Sequence, residues 1–299
     1  MPVSSIDNND GVDSFEAWSD LLGGLYIAWK ATNGQFAGLP SEGSPACRDD
    51  IQLANTRPEW SHHEGTGAGI DAVQMIDAAA HYVLGLKSFA DNRTVVLAPW
   101  PVVRAVAEHV AHAAWLLEPG IRPEARMARR WMARLAGAHR YRWMVGARNA
   151  TKAQTREAKQ CRERIRGELL QRFPGADTRW TDPSQHPLPP WAIAGETYPS
   201  IGLQCRLMEK LGVATAAGVY DTLSLNSHPN PVILTMLVDR VENSDGVAVT
   251  YRVDPQQWNS AVRGASTLLY ASAHAACGYF ALDPRHLDAW YDSFFAARR

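Results

Sequence analysis

Arg104, Glu108 and His112 recur every four residues, so on a helix turning about 100° per residue they form one polar row, with His109 at its margin. The residues between them are unusual for a solvated face. Ala105, Ala107, Ala111 and Ala114 stand where Lys, Glu or Gln would be expected, and Val102, Val106, Val110, Ala113, Leu116 and Leu117 form the apolar face. Such a helix reads as buried on most sides with one polar row retained. As a surface ladder, the row would add only about 0.3–0.5 kcal/mol per pair. As a buried network, Arg104 would pair with Glu108 and Glu108 would orient His112. That sets a switchable imidazole beside a fixed carboxylate, as acid/base chemistry requires.

A second row repeats the spacing. Tyr220, Ser224 and His228 are four apart, and Pro229-Asn230-Pro231 stops the helix at His228. An imidazole at a helix C-terminus is favoured in its protonated form by the macrodipole. No Gly-x-Ser-x-Gly elbow surrounds Ser224, so Tyr220 and Ser224 read as hydrogen-bonding partners of His228 rather than as a nucleophile system. The alternative is a simple C-terminal cap. A third constellation pairs Asp77 with His81, again four apart, on the helix preceding Glu108 and His112. Facing carboxylate–His pairs on successive helices build di-metal sites, although those use Glu-x-x-His spacing and more carboxylates. These four residues therefore stand as an alternative metal set; the principal reading uses no metal and no cofactor.

The elements that carry these rows are mostly helical. Residues 1–13 are polar and read as disordered, and residues 14–299 as a single helical domain. Helical spacing runs over 14–30, 71–90, 101–117, a basic stretch from 123 broken near 149–151 and resuming to 173, then 200–211, 214–227, 254–280 and 284–297. Residues 31–69 read as a long irregular loop rich in Gly, Pro, Ser and Asn, and a second irregular connection carries prolines between 174 and 199. One β-hairpin is expected at about 232–253, where Val247, Val249 and Tyr251 alternate. The fold class is mainly α: a multi-helix bundle with one small β-hairpin insertion and long irregular loops.

Charge is distributed unevenly. Residues 122–172 hold fifteen Lys or Arg against four acidic residues, a net +11, in a chain whose formal charge is −1. Such asymmetry accompanies either a polyanion partner or internal charge matching. Arg126, Arg129, Arg130, Arg134, Arg140 and Arg142, interleaved with Trp131, Tyr141 and Trp143, have the composition for phosphate contacts and base stacking, so RNA or another polyanion is the expected partner. The alternatives are a solvated helix matched by the acidic remainder, or a dimer seam.

Hydrophobic content of 46% and eleven Trp indicate a globular protein. No apolar run approaches the ~20 residues of a bilayer span, and the first residues lack a signal-peptide pattern. Four dispersed Cys make no C-x-x-C pair. A reduced cytoplasmic protein without a membrane partner is expected.

Two segments, Arg104-Ala-Val-Ala-Glu-His109 and Arg134-Leu-Ala-Gly-Ala-His139, have the Arg-x4-His spacing. With the layout of an Arg-x-x-x-Glu helix, a basic helix and a later Tyr…Ser…His segment, residues 70–280 resemble uncharacterised bacterial helical proteins similar to HEPN-like domains, many of which are metal-independent ribonucleases. The glycine-rich loop, the hairpin and Ala105, where that family places a polar residue, depart from the pattern. The resemblance implies a homo-oligomer in which Arg104 or Arg134 steadies a scissile phosphate. A histidine would serve as acid or base and the RNA 2′-hydroxyl would attack, leaving a cyclic phosphate. The expected site is Arg104, Glu108, His109, His112, Tyr220, Ser224 and His228. Two other classes stand beside it: a non-catalytic helical scaffold, and the metalloenzyme on Asp77, His81, Glu108 and His112.

Overall fold

The computed structural model describes residues 9–36, 38–60, 63–93, 99–148, 150–178, 191–213, 220–221, 223, 227, 238–243, 246–251 and 255–295. The fold is mainly α. Helices α1 (Asn9–Asn33), α2 (Pro45–Thr56), α3 (Glu64–Asp91), α4 (Pro99–Leu116), α5 (Pro123–Ala147) and α6 (Lys152–Arg172) precede a two-residue ladder, β1 (Ala192–Ile193) with β2 (Glu196–Thr197). Helix α7 (Ile201–Leu207) runs into a 3₁₀ turn at Met208–Leu211. Strands β3 (Val238–Asn243) and β4 (Gly246–Tyr251) follow, then α8 (Pro255–Phe280) and α9 (Arg285–Phe294). Among the described residues, no helix is long and apolar enough to cross a membrane.

Helix α4 is central, packed against α3, α7 and α8, while α1 covers the far side of α3 and α6 lies along α5. One cluster of buried apolar side chains runs from Phe15 to Trp290 and includes Trp29, Trp115, Trp258 and Phe280. The break expected near 149–151 is a designed start: the Thr151 hydroxyl accepts from Gln154 N and the Gln154 side chain accepts from Thr151 N, a reciprocal capping box. The expected hairpin is β3–β4, antiparallel with Val238 opposite Tyr251 and Asn243 opposite Gly246.

Three expectations are corrected. Helix α1 begins at Asn9, inside the stretch read as disordered. The loop expected over 31–69 contains α2, opened by the Ser44 cap on Cys47 N with Pro45 behind it. That helix buries only Ala46 and Leu53, too few apolar residues to register as a period. The proline-rich connection carries β1 and β2, turned by Ala194 and Gly195 at positive φ.

The start of α3 was also hidden, because Gly65, Gly67 and Gly69 suggest loop. These glycines instead admit neighbours. A Cβ on Gly69 would lie 2.5 Å from Phe280 Cζ and 2.6 Å from Tyr279 Cε1, both buried rings. Gly69→Ala is therefore expected to cost about 1–3 kcal/mol by overpacking. Gly85→Ala, where a Cβ meets nothing within 4 Å, is expected to gain up to about 1 kcal/mol of helix propensity. Urea denaturation of the two variants checks the contrast.

Candidate functional site

The polar row on α4 lines a cleft of about 620 Å³. Its walls are α3 (Asp71, Gln74), α4 (Arg104, Glu108, His109, His112), α5 (Arg134, Arg140), α7 with the segment before it (Gln204, Tyr198) and Tyr220. Of the second expected row, Tyr220 meets the first. Arg104 Nε donates to Glu108 Oε1 at 2.8 Å, and Arg104 Nη2 lies 3.4 Å from the Tyr220 hydroxyl. That hydroxyl is 3.5 Å from Glu108 Oε1, and the Arg104 guanidinium carbon stands 5.7 Å from the Tyr220 ring centre. Ser224 and His228 lie outside the described residues.

Electrostatics divide the groups. Burial and then the Glu108 carboxylate raise the Tyr220 phenol, which stays protonated as a donor. Burial lowers His112 to about 4, and a polar contact with the Gln204 side chain opposes this only in part. His112 is thus a neutral imidazole at physiological pH, set edge-on to Trp115. It is not oriented by Glu108, whose carboxylate faces Arg104 and Tyr220, so that expected pairing is corrected.

His109 has a defined tautomer. Its Nδ1 is 2.7 Å from the Ala105 carbonyl oxygen; a carbonyl only accepts, so Nδ1 carries the proton and Nε2 keeps its lone pair. Behind His109, the Tyr82 ring packs at 5.2 Å. Gln204 is 2% exposed, lines the cleft, and its Oε1 has no hydrogen-bond partner among the described residues. A buried acceptor left open on a cleft wall is costly unless a donor reaches it. A ligand N–H or O–H would satisfy it.

No protein-family model matches this chain, and no curated protein or solved structure matches it either.

The site's remaining cations are of two kinds. Arg134 is held by Asp71 through two bonds of 2.8 Å, and Arg130 reaches Asp71 at 3.1 Å and Glu64 at 3.3 Å. Arg126 is buried, donating to Asp49 at 3.0 Å and to the Leu116 and Glu118 carbonyls. Arg129 is buried between Glu196 and Glu118, each at 2.6 Å, and the Trp115 carbonyl at 2.7 Å. The assignment of Arg126 and Arg129 to a nucleic-acid surface is therefore corrected, since neither guanidinium is accessible. Arg130 and Arg134 are likewise committed to carboxylates. Arg140 is different: it is exposed, lines the cleft beside Tyr198, and has no carboxylate partner among the described residues.

The alternative metal set is not assembled. Asp77 accepts from Trp29 Nε1 at 3.1 Å and Lys30 Nζ at 3.0 Å, with His81 at 3.7 Å, on the face of α3 turned to α1. Glu108 and His112 point into the cleft instead. Among the described residues no three His, Cys, Asp or Glu side chains gather as metal ligands. Sequence reasoning overlooked Asp71, Tyr198 and Gln204. Asp71 had a signal, three residues before Gln74 on the polar arc of α3; Gln204 had none, because its role depends on where α7 docks.

Proposed function

We propose that the cleft is an acid/base site for metal-independent cleavage of RNA phosphodiesters, as the HEPN-like resemblance implies. The observation that carries the reading is the meeting of Arg104, His109, Tyr220 and the unmatched Arg140 in one cleft. Of the two Arg-x4-His segments, only the first has both ends there; His139 of the second is 4% exposed and does not line the cleft.

In this reading His109 Nε2 takes the proton of the ribose 2′-hydroxyl, while the Nδ1–H bond to Ala105 fixes the ring. The new 2′-O–P bond forms as the P–O5′ bond breaks, and the leaving oxygen takes a proton from solvent in the open cleft. Arg104 and Arg140 face the charge that accumulates on the phosphoryl oxygens, the role that preorganised cations serve best. Glu108 and Tyr220 hold Arg104 in place. Gln204 Oε1 offers an acceptor to a donor on the ribose or base.

The test is cleavage of a labelled oligoribonucleotide in EDTA, with product analysis for a 2′,3′-cyclic phosphate. His109→Ala is expected to slow cleavage by roughly 10²–10⁴-fold, the usual contribution of a positioned base, and Arg104→Ala to reduce it as well. Undiminished cleavage in both variants would move the chemistry away from this wall. One observation favours a purely binding role instead: Arg104 and Arg134 are already engaged by carboxylates. Oligonucleotide binding with no turnover would select that scaffold reading.

A further inference from the structure

The fold sorts the basic segment into two halves. Eight of its fifteen cations make ion pairs: Arg126, Arg129, Arg130, Arg134, Arg162, Arg164, Arg166 and Arg172. Six of the other seven are consecutive in order along the chain, Arg140, Arg142, Arg148, Lys152, Arg156 and Lys159, with Glu157 the one acidic residue among them. None of the six has a carboxylate within ion-pair distance among the described residues. Only four residues separate α5 from α6, and the two helices pack together. Their adjoining ends therefore gather a basic patch around the junction, the six cations lying within about two turns of it on more than one face.

That patch also carries two large aromatics turned outward. Tyr141 is 40% exposed and Trp143 53% exposed, flanked in sequence by Arg140 and Arg142. Trp131 on the same helix is buried in the core, whereas these two keep a large part of their surface exposed. Cations without ion pairs among the described residues, beside partly exposed aromatic rings, meet both needs of a flexible polyanion with stackable rings.

We propose that the α5–α6 junction docks single-stranded nucleic acid, with Arg142, Arg148 and Lys152 on phosphates and Trp143 and Tyr141 stacked on bases. A duplex hides its base faces and would use the cations alone. Arg140 belongs to both the patch and the cleft, so a strand held at the junction is led to the cleft mouth. The docking does not depend on the cleft being catalytic.

The experiment is fluorescence anisotropy of labelled oligouridylate and oligothymidylate on the full chain across a salt series. Heparin, poly-glutamate and phosphatidylserine vesicles serve as competitors. Arg142→Gln/Arg148→Gln/Lys152→Gln is expected to weaken oligonucleotide binding by at least about tenfold. It should also flatten the slope of log affinity against log salt by about 2, since each phosphate contact contributes roughly 0.7 on a single strand. Trp143→Ala should weaken it roughly five- to a hundredfold while leaving heparin affinity unchanged. Circular-dichroism melting checks that the variants remain folded, and Lys152→Glu alone provides a milder second variant with the same sign of effect. Unchanged binding in the triple variant, equal loss of heparin and oligonucleotide in Trp143→Ala, or preference for vesicles or poly-glutamate would overturn the proposal. So would failure to bind any oligonucleotide. Binding retained without cleavage, in the wild type or in His109→Ala, leaves the docking surface standing and bears on the cleft chemistry alone.

Discussion

Acidification from pH 6.5 to 4 is expected to cost this protein up to roughly 3 kcal/mol through His112 alone. The folded environment lowers that imidazole to about 4, whereas in the unfolded chain it titrates near 6.5. Between those values the unfolded state binds a proton that the native state refuses, so stability rises with pH across the window and falls as pH drops. Each unit of displacement corresponds to about 1.36 kcal/mol, which sets the size. The cause is local: burial comes first, the Gln204 contact opposes it only in part, and the nearby Arg140 charge further disfavours an imidazolium. His112→Gln keeps a neutral polar side chain without the titration. Urea denaturation of wild type and variant at pH 7 and pH 4.5 isolates the effect, because the carboxylates that titrate in the same range are common to both. The variant should lose about 2–3 kcal/mol less than wild type; parallel losses would mean that His112 is not held neutral by the fold.

Loss of Arg129 should be more damaging than loss of any exposed cation in the same segment. Its guanidinium joins Glu118, Glu196 and the Trp115 carbonyl, and stands 5.6 Å from the Trp115 ring centre. Although burial raises the Glu118 carboxyl, hydrogen bonds from Lys210 and Arg129 more than reverse this and hold it below the ordinary carboxylate range. Arg129→Met would leave the buried Glu118 with Lys210 alone and remove the donor to a buried carbonyl. Breaking a buried pair from one side costs about 3–5 kcal/mol, because the remaining charge stays desolvated. Arg142→Met, at a position with no ion pair among the described residues, should change stability by no more than about 0.5 kcal/mol. The difference should persist at high salt, since buried pairs are screened far less than surface ones. Equal effects of the two substitutions in chemical denaturation would refute the division of the basic segment.

The two halves of that segment show what composition conceals. Arg126, Arg129 and Arg134 look the same in sequence as Arg140 and Arg142, all spaced along one helix. Asp49, Glu64, Asp71, Glu118 and Glu196, which neutralise the first turns, come from α2, α3, the end of α4 and β2. Internal charge matching and a polyanion surface were posed as alternatives, and the fold provides the ground for both in successive portions of one segment. The glycines at the start of α3 show the same limit. Low helix propensity signals a loop, yet here it marks the close approach of Arg130, Tyr279 and Phe280, a tertiary reason that overrides local preference.

By itself the sequence determined what depends on short-range periodicity and on proline, serine and threonine chemistry. Helix α4 with its alanine-set polar row, the paired basic helices with their break at Thr151, the β3–β4 hairpin and the mainly α class all follow from spacing of a few residues, where side-chain directions are dictated by 3.6- and 2-residue periods. Long-range partners were beyond it. That Arg104 meets Tyr220 across 116 residues, that His112 sits beside Gln204 and is kept neutral, and that Asp71 takes Arg134 were decided only when α3, α5 and α7 closed around α4. Burial, and with it the protonation and accessibility of each charged group, is a property of that packing.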